Sequence, residues 1–266
     1  KKNLLIFYKR RWLRTLPLFF ICLIIISIMF KKFLTYDFFK YFFFLQDIVP
    51  DFLETSYYPV VWSLSIEEFF YLIFPIFLLF SNKKNYLKNC IYLFIFLVFI
   101  KIFYISYFDA FFIRTGTLLR FDAILLGFLL RYLYLKLDFI KSFCISLFLS
   151  FVYIFFQDFI LMNQDDLIIK FSFILLLQIF SAFILILFLK IEFLSKFVLF
   201  KKISSLVSKQ TYSVYLLHMV FIYLLIDLNF YASMKFGIYI FLLVALSTAT
   251  YYFIEKPILK IRPKYL

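Results

Sequence analysis

"PVVWSLSIEEFFYLIFPIFLLF", Pro59 to Phe80, has the length and composition of a helix that crosses a lipid bilayer. Its first third nevertheless contains two adjacent glutamates, Glu67 and Glu68. A carboxylate at the middle of a membrane helix costs about 2.5–3.5 kcal/mol on insertion scales, and less near an interface. The apolar residues of this stretch therefore indicate a fold class, and its two acids need a functional explanation.

The rest of the chain is equally apolar. Its 266 residues are 66% hydrophobic, with a mean hydropathy of +1.00, whereas soluble domains are about half apolar. This excess predicts an all-α fold, a polytopic membrane bundle whose outer solvent is lipid. Eight runs are long enough to span a bilayer, namely residues 15–30, 62–80, 90–107, 118–134, 142–157, 171–189, 211–228 and 236–254. The shorter apolar stretch 38–49 ends at Pro50 and is expected to be interfacial or re-entrant.

The charges of the chain support this topology. The net charge is +14, but the basic residues lie in short clusters between apolar runs, so no nucleic-acid partner is expected. If the N-terminus is cytoplasmic, the inside segments contain 21 Lys and Arg residues and the outside segments contain 6. The positive-inside rule then predicts eight spans with both termini in the cytoplasm.

No internal repeat, long linker or change of composition divides the sequence, so we expect a single membrane domain over residues 1–266. Cys22, Cys90 and Cys144 lie in or beside apolar runs without metal-ligand spacing, and we interpret them as small hydrophobic residues. Because the chain has one histidine and no Cys-x-x-Cys motif, we expect neither a metal site nor a redox cofactor.

The first of five polar segments is "YKRRWLRTLP", residues 8–17, which places Arg11 and Arg14 on one helix face at the cytoplasmic interface. Two interpretations are open. The arginines either anchor the helix, as positive residues do in any membrane protein, or form a bidentate site for phosphates, which the planar guanidinium group suits.

The second polar segment is the opening stretch. Ser63, Glu67 and Tyr71 are spaced i, i+4 and i+8 and share one helix face, whereas Glu68 points about 100° away. Glu67 is expected near the outer end of its helix. Either water solvates both acids at the interface, or one acid faces a polar cavity and binds, orients or protonates a ligand. We expect Glu67 to be that acid and Glu68 to be an interfacial bystander.

The third segment is "GTLLRFDAILLG", residues 116–127, in which Arg120 enters a helix from the outside. Gly127 lies two turns further on the same face, and its lack of a side chain is expected to let another backbone approach closely. Arg120 is expected at the same membrane depth as Glu67, so we predict that the two side chains pair.

The last two segments lie near the C-terminus. In "TYSVYLLHMVF", residues 211–221, Thr211, Tyr215 and His218 form a polar stripe, and His218 is either a structural hydrogen-bonding group or a functional intramembrane group. In "ATYYFIEKPILK", residues 249–260, Glu255 precedes Pro257, and the simplest interpretation is a helix end at the interface.

Together and in this order, these segments resemble the acyltransferase 3 family of membrane O-acyltransferases. "RRWLRTLP" resembles its Arg-x-x-Arg-x-x-Pro element, and "WSLSIEEFFYLIFP" resembles its Trp-Ser-Leu-x-x-Glu-x-x-Phe-Tyr-x-x-x-Pro block, whose glutamate corresponds to Glu67. "RFDAILLG", "TYSVYLLH" and "FIEKP" resemble its arginine-to-glycine helix, its Tyr-Ser-x-Tyr-Leu-x-His block and its terminal Glu-x-Pro element. The resemblance extends from Arg11 to Pro257.

The resemblance implies a ten-helix enzyme of the inner membrane that needs no cofactor beyond its co-substrate. It would move an acyl group, commonly acetyl, from cytoplasmic acyl-CoA to a hydroxyl of a cell-envelope saccharide or another extracytoplasmic acceptor. Arg11 and Arg14 would bind acyl-CoA. The implied catalytic residues are Glu67, His218 and Arg120, and the implied substrate-binding or supporting residues are Trp62, Ser63, Tyr71, Tyr215 and Glu255.

The sequence also departs from the family. Family members begin with two further helices, the first of which carries the histidine regarded as catalytic, and nothing in this sequence matches that segment. We therefore expect a chain that lacks these helices, as a fragment or a natural truncation. Two alternatives stay open, a transporter or flippase, since intramembrane Glu, Arg and His also mark transport pathways, and a non-catalytic remnant.

Overall fold

A computed structural model describes residues 2–48, 56–105, 107, 112, 115–162, 166–190, 197–226, 228 and 231–264. Throughout this part of the chain the secondary structure is helical, and no strand is found in it. The predicted all-α class is therefore confirmed.

The described residues form a series of helices joined by short connections. They are α1 (Lys2–Met29), α2 (Tyr36–Phe42), α3 (Trp62–Phe80), α4 (Tyr86–Ile105), α5 (Phe121–Lys136), α6 (Phe139–Met162), α7 (Leu167–Lys190), α8 (Val198–Ile226), α9 (Ala232–Thr250) and α10 (Lys256–Lys260). A π-helical turn, Tyr251–Glu255, joins α9 to α10. Single 3₁₀ turns, Pro59–Val61 and Leu118–Arg120, lead into α3 and α5.

The eight predicted spans coincide with α1 and with α3 to α9. Within the described residues, six of these helices are long and apolar enough to cross a membrane, namely α1, α3, α4, α6, α7 and α9. The other two differ for simple reasons, since α5 has only 16 residues and the first half of α8 contains Lys201, Lys202 and Lys209. The chain is a multi-pass helical membrane protein.

The segment after α1 folds back alongside that helix. The ring of Phe44 stacks on Phe19 with centroids 4.8 Å apart, and the ring of Phe42 stacks on Phe20 at 4.7 Å. These contacts lie about ten residues before the end of α1, so the segment turns back along that helix, and the interfacial or re-entrant course expected for residues 38–49 stays a prediction. Residues 49 and 50 lie outside the described part of the chain.

The chain divides into two compact units. The first comprises Lys1–Pro75 and Lys202–Leu266, and the second comprises Ile76–Lys201. The core of the first unit brings together α1, the approach to α3 and α8, with Phe19, Tyr58 and Leu216 almost completely buried. The single domain predicted for residues 1–266 stays a prediction.

The second unit contains a completely buried ion pair. Nζ of Lys101 in α4 lies 2.5 Å from Oδ2 of Asp122 in α5, and neither side chain is exposed. Gln178 of α7 donates a hydrogen bond to the same oxygen at 3.2 Å, while the backbone N–H of Ala123 donates to the other oxygen at 2.8 Å. One carboxylate therefore connects three helices.

The prediction for Gly127 is wrong. A Cβ atom added at this glycine would have no neighbouring atom within 4 Å among the described residues, so no second backbone in that part of the chain packs closely against it. Spacing alone placed Gly127 on the face of Arg120, but it did not show whether another helix covers that face.

We predict that Lys101→Met lowers the free energy of unfolding by about 3–5 kcal/mol, because it leaves the Asp122 carboxylate buried and uncompensated. Thermal or denaturant unfolding in detergent micelles measures this loss. Lys141→Met is the matched control, since the ion pair of Lys141 with Asp138 is 3.1 Å long but mostly exposed. Equal losses for the two variants would contradict the role assigned to the buried pair.

Candidate functional site

Helices α1 and α3 run antiparallel and are joined along their length by hydrogen bonds. Near one end, the Tyr8 hydroxyl donates to the carbonyl of Leu72 at 2.9 Å. Near the end of α1, the hydroxyl of Ser27 lies 3.1 Å from that of Tyr57, which belongs to the segment leading into α3. These contacts determine which residues of the two helices lie at the same depth.

Arg11 and Glu67 meet at this helix pair. Nη2 of Arg11 lies 2.5 Å from Oε2 of Glu67, and the guanidinium group lies over the ring of Tyr71, 3.8 Å from its centroid. The side chains keep 23% and 43% of their exposure, so the pair is only partly buried. A buried carboxylate or guanidinium group inside an apolar helix pair needs such a partner.

This contact corrects the predicted depths. The sequence placed Arg11 at the cytoplasmic interface and Glu67 near the outer end of its helix, but the structure places both at one depth. The reason is that α1 begins at Lys2 and not near residue 15. Arg11 therefore lies about 13 Å along the helix axis from its first residue.

Glu68 is the more deeply buried acid, with 7% exposure. The buried hydroxyl of Thr15 donates to its Oε1 at 2.7 Å, and among the described residues no cation lies within 4 Å of its carboxylate. The prediction of an interfacial bystander is wrong. Helix α1 crosses α3 between the two acids, so that Arg11 meets Glu67 and Thr15 meets Glu68.

A cavity of about 270 Å³ lies beside Glu68. Its walls come from α1, from the turn that ends α2 and from α3, through Trp12, Leu16, Phe20, Phe42, Phe43, Phe44, Glu68, Phe69 and Leu72. Glu68 is the one charged residue in this lining. The acid that meets a cavity is therefore Glu68, and the cavity is apolar, whereas the sequence suggested Glu67 and a polar cavity.

Helix α8 runs parallel to α1. The Tyr212 hydroxyl donates to the carbonyl of Thr15 at 2.6 Å, and further along the rings of Tyr223 and Phe30 are 4.8 Å apart. These two contacts show which residues of α8 lie at the same height along the helix axis as given residues of α1.

Tyr215 connects α8 to the start of α3. Its hydroxyl donates to the carbonyl of Val60, and it lies 2.8 Å from the hydroxyl of Ser63, which consequently donates to the tyrosine oxygen. The structure therefore brings together two of the predicted supporting residues, Ser63 and Tyr215, which are 152 positions apart in the sequence.

His218 is oriented by the backbone of its own helix. Its Nδ1 lies 2.6 Å from the carbonyl oxygen of Tyr215. Because a carbonyl can only accept, Nδ1 carries a proton, and in the neutral ring Nε2 is then the lone-pair nitrogen. The partly buried imidazole is thus held in the tautomer that can accept a hydrogen bond or a proton at Nε2.

The ion pair of Arg11 with Glu67 and the imidazole of His218 nevertheless lie at different depths along the helices. Tyr212 is level with Thr15, and His218 lies six residues further along α8, about 9 Å at 1.5 Å per residue. Arg11 lies four residues from Thr15 in the opposite direction, about 6 Å. Arg11 and His218 are therefore separated by about 15 Å along the helices, too far to act on one atom.

Glu255 is buried in the π-helical turn and accepts a hydrogen bond from the Ser213 hydroxyl of α8. The exposed guanidinium group of Arg14 lies within electrostatic range of this carboxylate. The two arginines of the first segment therefore face different acids, Glu67 for Arg11 and Glu255 for Arg14. A plain helix end would not require this buried carboxylate.

Two further predicted site residues lie elsewhere in the structure. Trp62 is the first residue of α3 and is partly buried. Arg120 lies in the second unit, in the 3₁₀ turn before α5, and its pairing with Glu67 stays a prediction.

Sequence reasoning missed Thr15 and Tyr212, which link α1 to both α3 and α8. Thr15 lies one turn after Arg11, so the spacing already placed it beside the arginine on α1. No pattern in the sequence showed that α3 and α8 would pack there.

A row of charged and hydrogen-bonding groups inside long apolar helices is typical of membrane proteins that have an intramembrane functional site. The family to which the chain belongs is also clear. The model of the acyltransferase 3 family, described as an acyltransferase domain, matches residues 1–254, so this chain is a member of that family and a membrane acyltransferase. The match runs through both compact units. No curated protein and no solved structure matches the chain.

We predict that Thr15→Val lowers the free energy of unfolding by about 1–3 kcal/mol, because Glu68 then loses its hydrogen-bond donor in a buried position. Thr211→Val is the matched control, since the Thr211 hydroxyl is exposed and donates only to its own helix, at Val207. Unfolding in detergent micelles compares the two variants. Equal stability of both would show that the Thr15–Glu68 bond contributes little.

Proposed function

We propose that this protein transfers an acyl group from cytoplasmic acyl-CoA to a hydroxyl of a cell-envelope saccharide. One observation carries the proposal, namely that the two adjacent acids lie on different sides of α3. Glu67 belongs to a polar face with Ser63 and Tyr71, whereas Glu68 lines an apolar cavity. Such a boundary suits a reaction between a polar acceptor and the apolar acyl group of a donor.

Arginine side chains form the end of the site that would bind the acyl donor, acyl-CoA. Arg14 is exposed, and Nε of Arg11 is buried without a hydrogen-bond partner among the described residues. Guanidinium groups bind phosphate oxygens in bidentate geometry, so this end of α1 suits the phosphates of coenzyme A. In the predicted topology this end of α1 faces the cytoplasm, because basic residues are in excess on that side.

Hydrogen-bonding side chains form the part of the site that would bind the acyl acceptor, the saccharide. The face of Ser63, Glu67 and Tyr71 continues through Tyr215 to His218, over about 15 Å along the helices. An extended saccharide has hydroxyls along its whole length that such groups can bind. In this proposal His218 binds the acceptor through Nε2, and it does not act on the reacting carbonyl.

Glu68 takes the proton of the acceptor hydroxyl. The hydroxyl oxygen attacks the thioester carbonyl, an oxygen–carbon bond forms, the carbon–sulfur bond breaks, and Glu68 returns the proton to the sulfur as free coenzyme A leaves. Glu67 is less suited to this step, because Arg11 already compensates its charge at 2.5 Å. Glu67 would instead position Arg11 for the donor.

We predict that replacing the two acids in the intact protein changes different kinetic constants. Glu68→Gln should lower kcat by about 100-fold or more with little change in KM, as expected for loss of a general base. Glu67→Gln should mainly raise the KM for acyl-CoA, because it releases Arg11 from its position. Steady-state kinetics with purified protein in nanodiscs measures both variants.

Asp138→Asn provides the control, since this carboxylate is exposed in the second unit and should be dispensable. A large loss of kcat in Glu67→Gln with an active Glu68→Gln would contradict the assignment. In cells, deleting the gene should remove acyl groups from a surface saccharide, as measured by mass spectrometry. Unchanged acylation of every envelope saccharide would contradict the proposed function itself.

A further inference from the structure

We infer that the apolar cavity beside Glu68 binds the hydrocarbon part of the donor's acyl group, and that the preferred group is a chain of about six to ten carbons, not acetyl. This inference rests on the proposed function, because it names the acyl group that the proposed reaction transfers.

The lining selects a hydrocarbon. Eight of the nine residues around the cavity are apolar or aromatic, and they come from three separate elements of the first unit. A saccharide in this space would leave most of its hydroxyls without partners, which costs free energy for each one. A hydrocarbon chain gains free energy from the same surroundings, so the cavity suits the donor's chain and not the acceptor.

The volume selects the chain length. An apolar protein cavity of about 150 Å³ is large enough to hold benzene, which has six carbons. The cavity beside Glu68 measures about 270 Å³, so by proportion it has room for about ten carbons, and chains of about six to ten carbons fit within it. A two-carbon acetyl group would contact only a small part of this apolar lining, and it would gain correspondingly less free energy from burial than a longer chain.

The residues around the cavity indicate how the acyl chain would be oriented in it. Trp12 follows Arg11 directly in the sequence, so the phosphate-binding end of the site adjoins one end of the cavity. The other end of the lining is formed by Phe42, which stacks on Phe20. Between Trp12 and Phe20 the wall of α1 extends about 12 Å. The chain therefore enters beside Arg11 and ends at the aromatic residues.

Glu68 then lies beside the entering part of the chain. It belongs to the wall between Trp12 and Leu16, because its carboxylate is bonded to Thr15. An acyl chain that fills the cavity to Phe20 places its carbonyl carbon near this carboxylate. The cavity thus measures the length of the acyl group and positions its reactive end.

The test is a series of donors with the intact protein in nanodiscs, using acetyl-, hexanoyl-, octanoyl- and dodecanoyl-CoA. Each added methylene should increase kcat/KM by up to about fourfold until the cavity is full, since burying one methylene contributes about that factor. Dodecanoyl-CoA should then be poorer than octanoyl-CoA. Binding of the same donors to the protein without acceptor, measured as Kd, should follow the same order.

Two substitutions change the cavity and one serves as control. Leu16→Trp fills it, so transfer from octanoyl-CoA should fall by about tenfold or more relative to transfer from acetyl-CoA, the effect of losing one to two methylenes of buried chain. Phe43→Ala enlarges it and should shift the optimum to longer chains. Ile24→Trp adds the same bulk to an exposed position of α1 outside the lining and should leave the profile unaltered.

The possible results separate this inference from the proposed function. Acetyl-CoA as the best donor, with Leu16→Trp affecting all donors equally, would overturn the inference and leave acyl transfer intact. A bilayer lipid in the cavity, detected by native mass spectrometry and lost in Leu16→Trp without a change in donor profile, would also overturn it. No transfer and no binding of any acyl-CoA would contradict the proposed function instead.

Discussion

The ion pair between Arg11 and Glu67 determines the register of α1 against α3, and the rest of the site depends on that register. With these two side chains in contact at 2.5 Å, Thr15 lies one turn further along α1 and reaches Glu68. The carbonyl of Thr15 then receives the hydroxyl of Tyr212, which places α8 beside both helices. A shift of α1 by one turn would leave two carboxylates without partners among apolar side chains, a costly arrangement in a membrane helix.

This register explains why two acids stand side by side. Adjacent residues on a helix point about 100° apart, so one of them faces the hydrogen-bonding groups that continue to His218 and the other faces the apolar cavity. Neither position alone would join a polar surface to an apolar one. The adjacency of Glu67 and Glu68 is therefore the feature through which the proposed donor and acceptor sites meet.

The sequence predicted the helices well and the site only in part. Helix α3 begins and ends where residues 62–80 were predicted, because its apolar run is bounded by Pro59 and by the polar residues after Phe80. The start of α1 was missed, because Lys9, Arg10 and Arg11 interrupt its apolar sequence and hide a continuing helix. The role of Glu68 could not be predicted, since helical spacing shows which face a residue occupies but not which neighbour covers that face. The same limit applies to Gly127, which has no close neighbour in the part of the chain that the structure describes.

The central claim is that α3 separates a saccharide-binding face from an acyl-binding cavity at the two acids. A structure of the intact protein bound to a non-transferable thioether analogue of octanoyl-CoA tests it most directly. The account predicts the hydrocarbon chain between Trp12, Phe20 and Phe43, with the carbonyl position of the analogue beside Glu68 and the phosphates near Arg11 and Arg14. A chain lying instead along Ser63, Tyr215 and His218, with the cavity unchanged, would contradict the account.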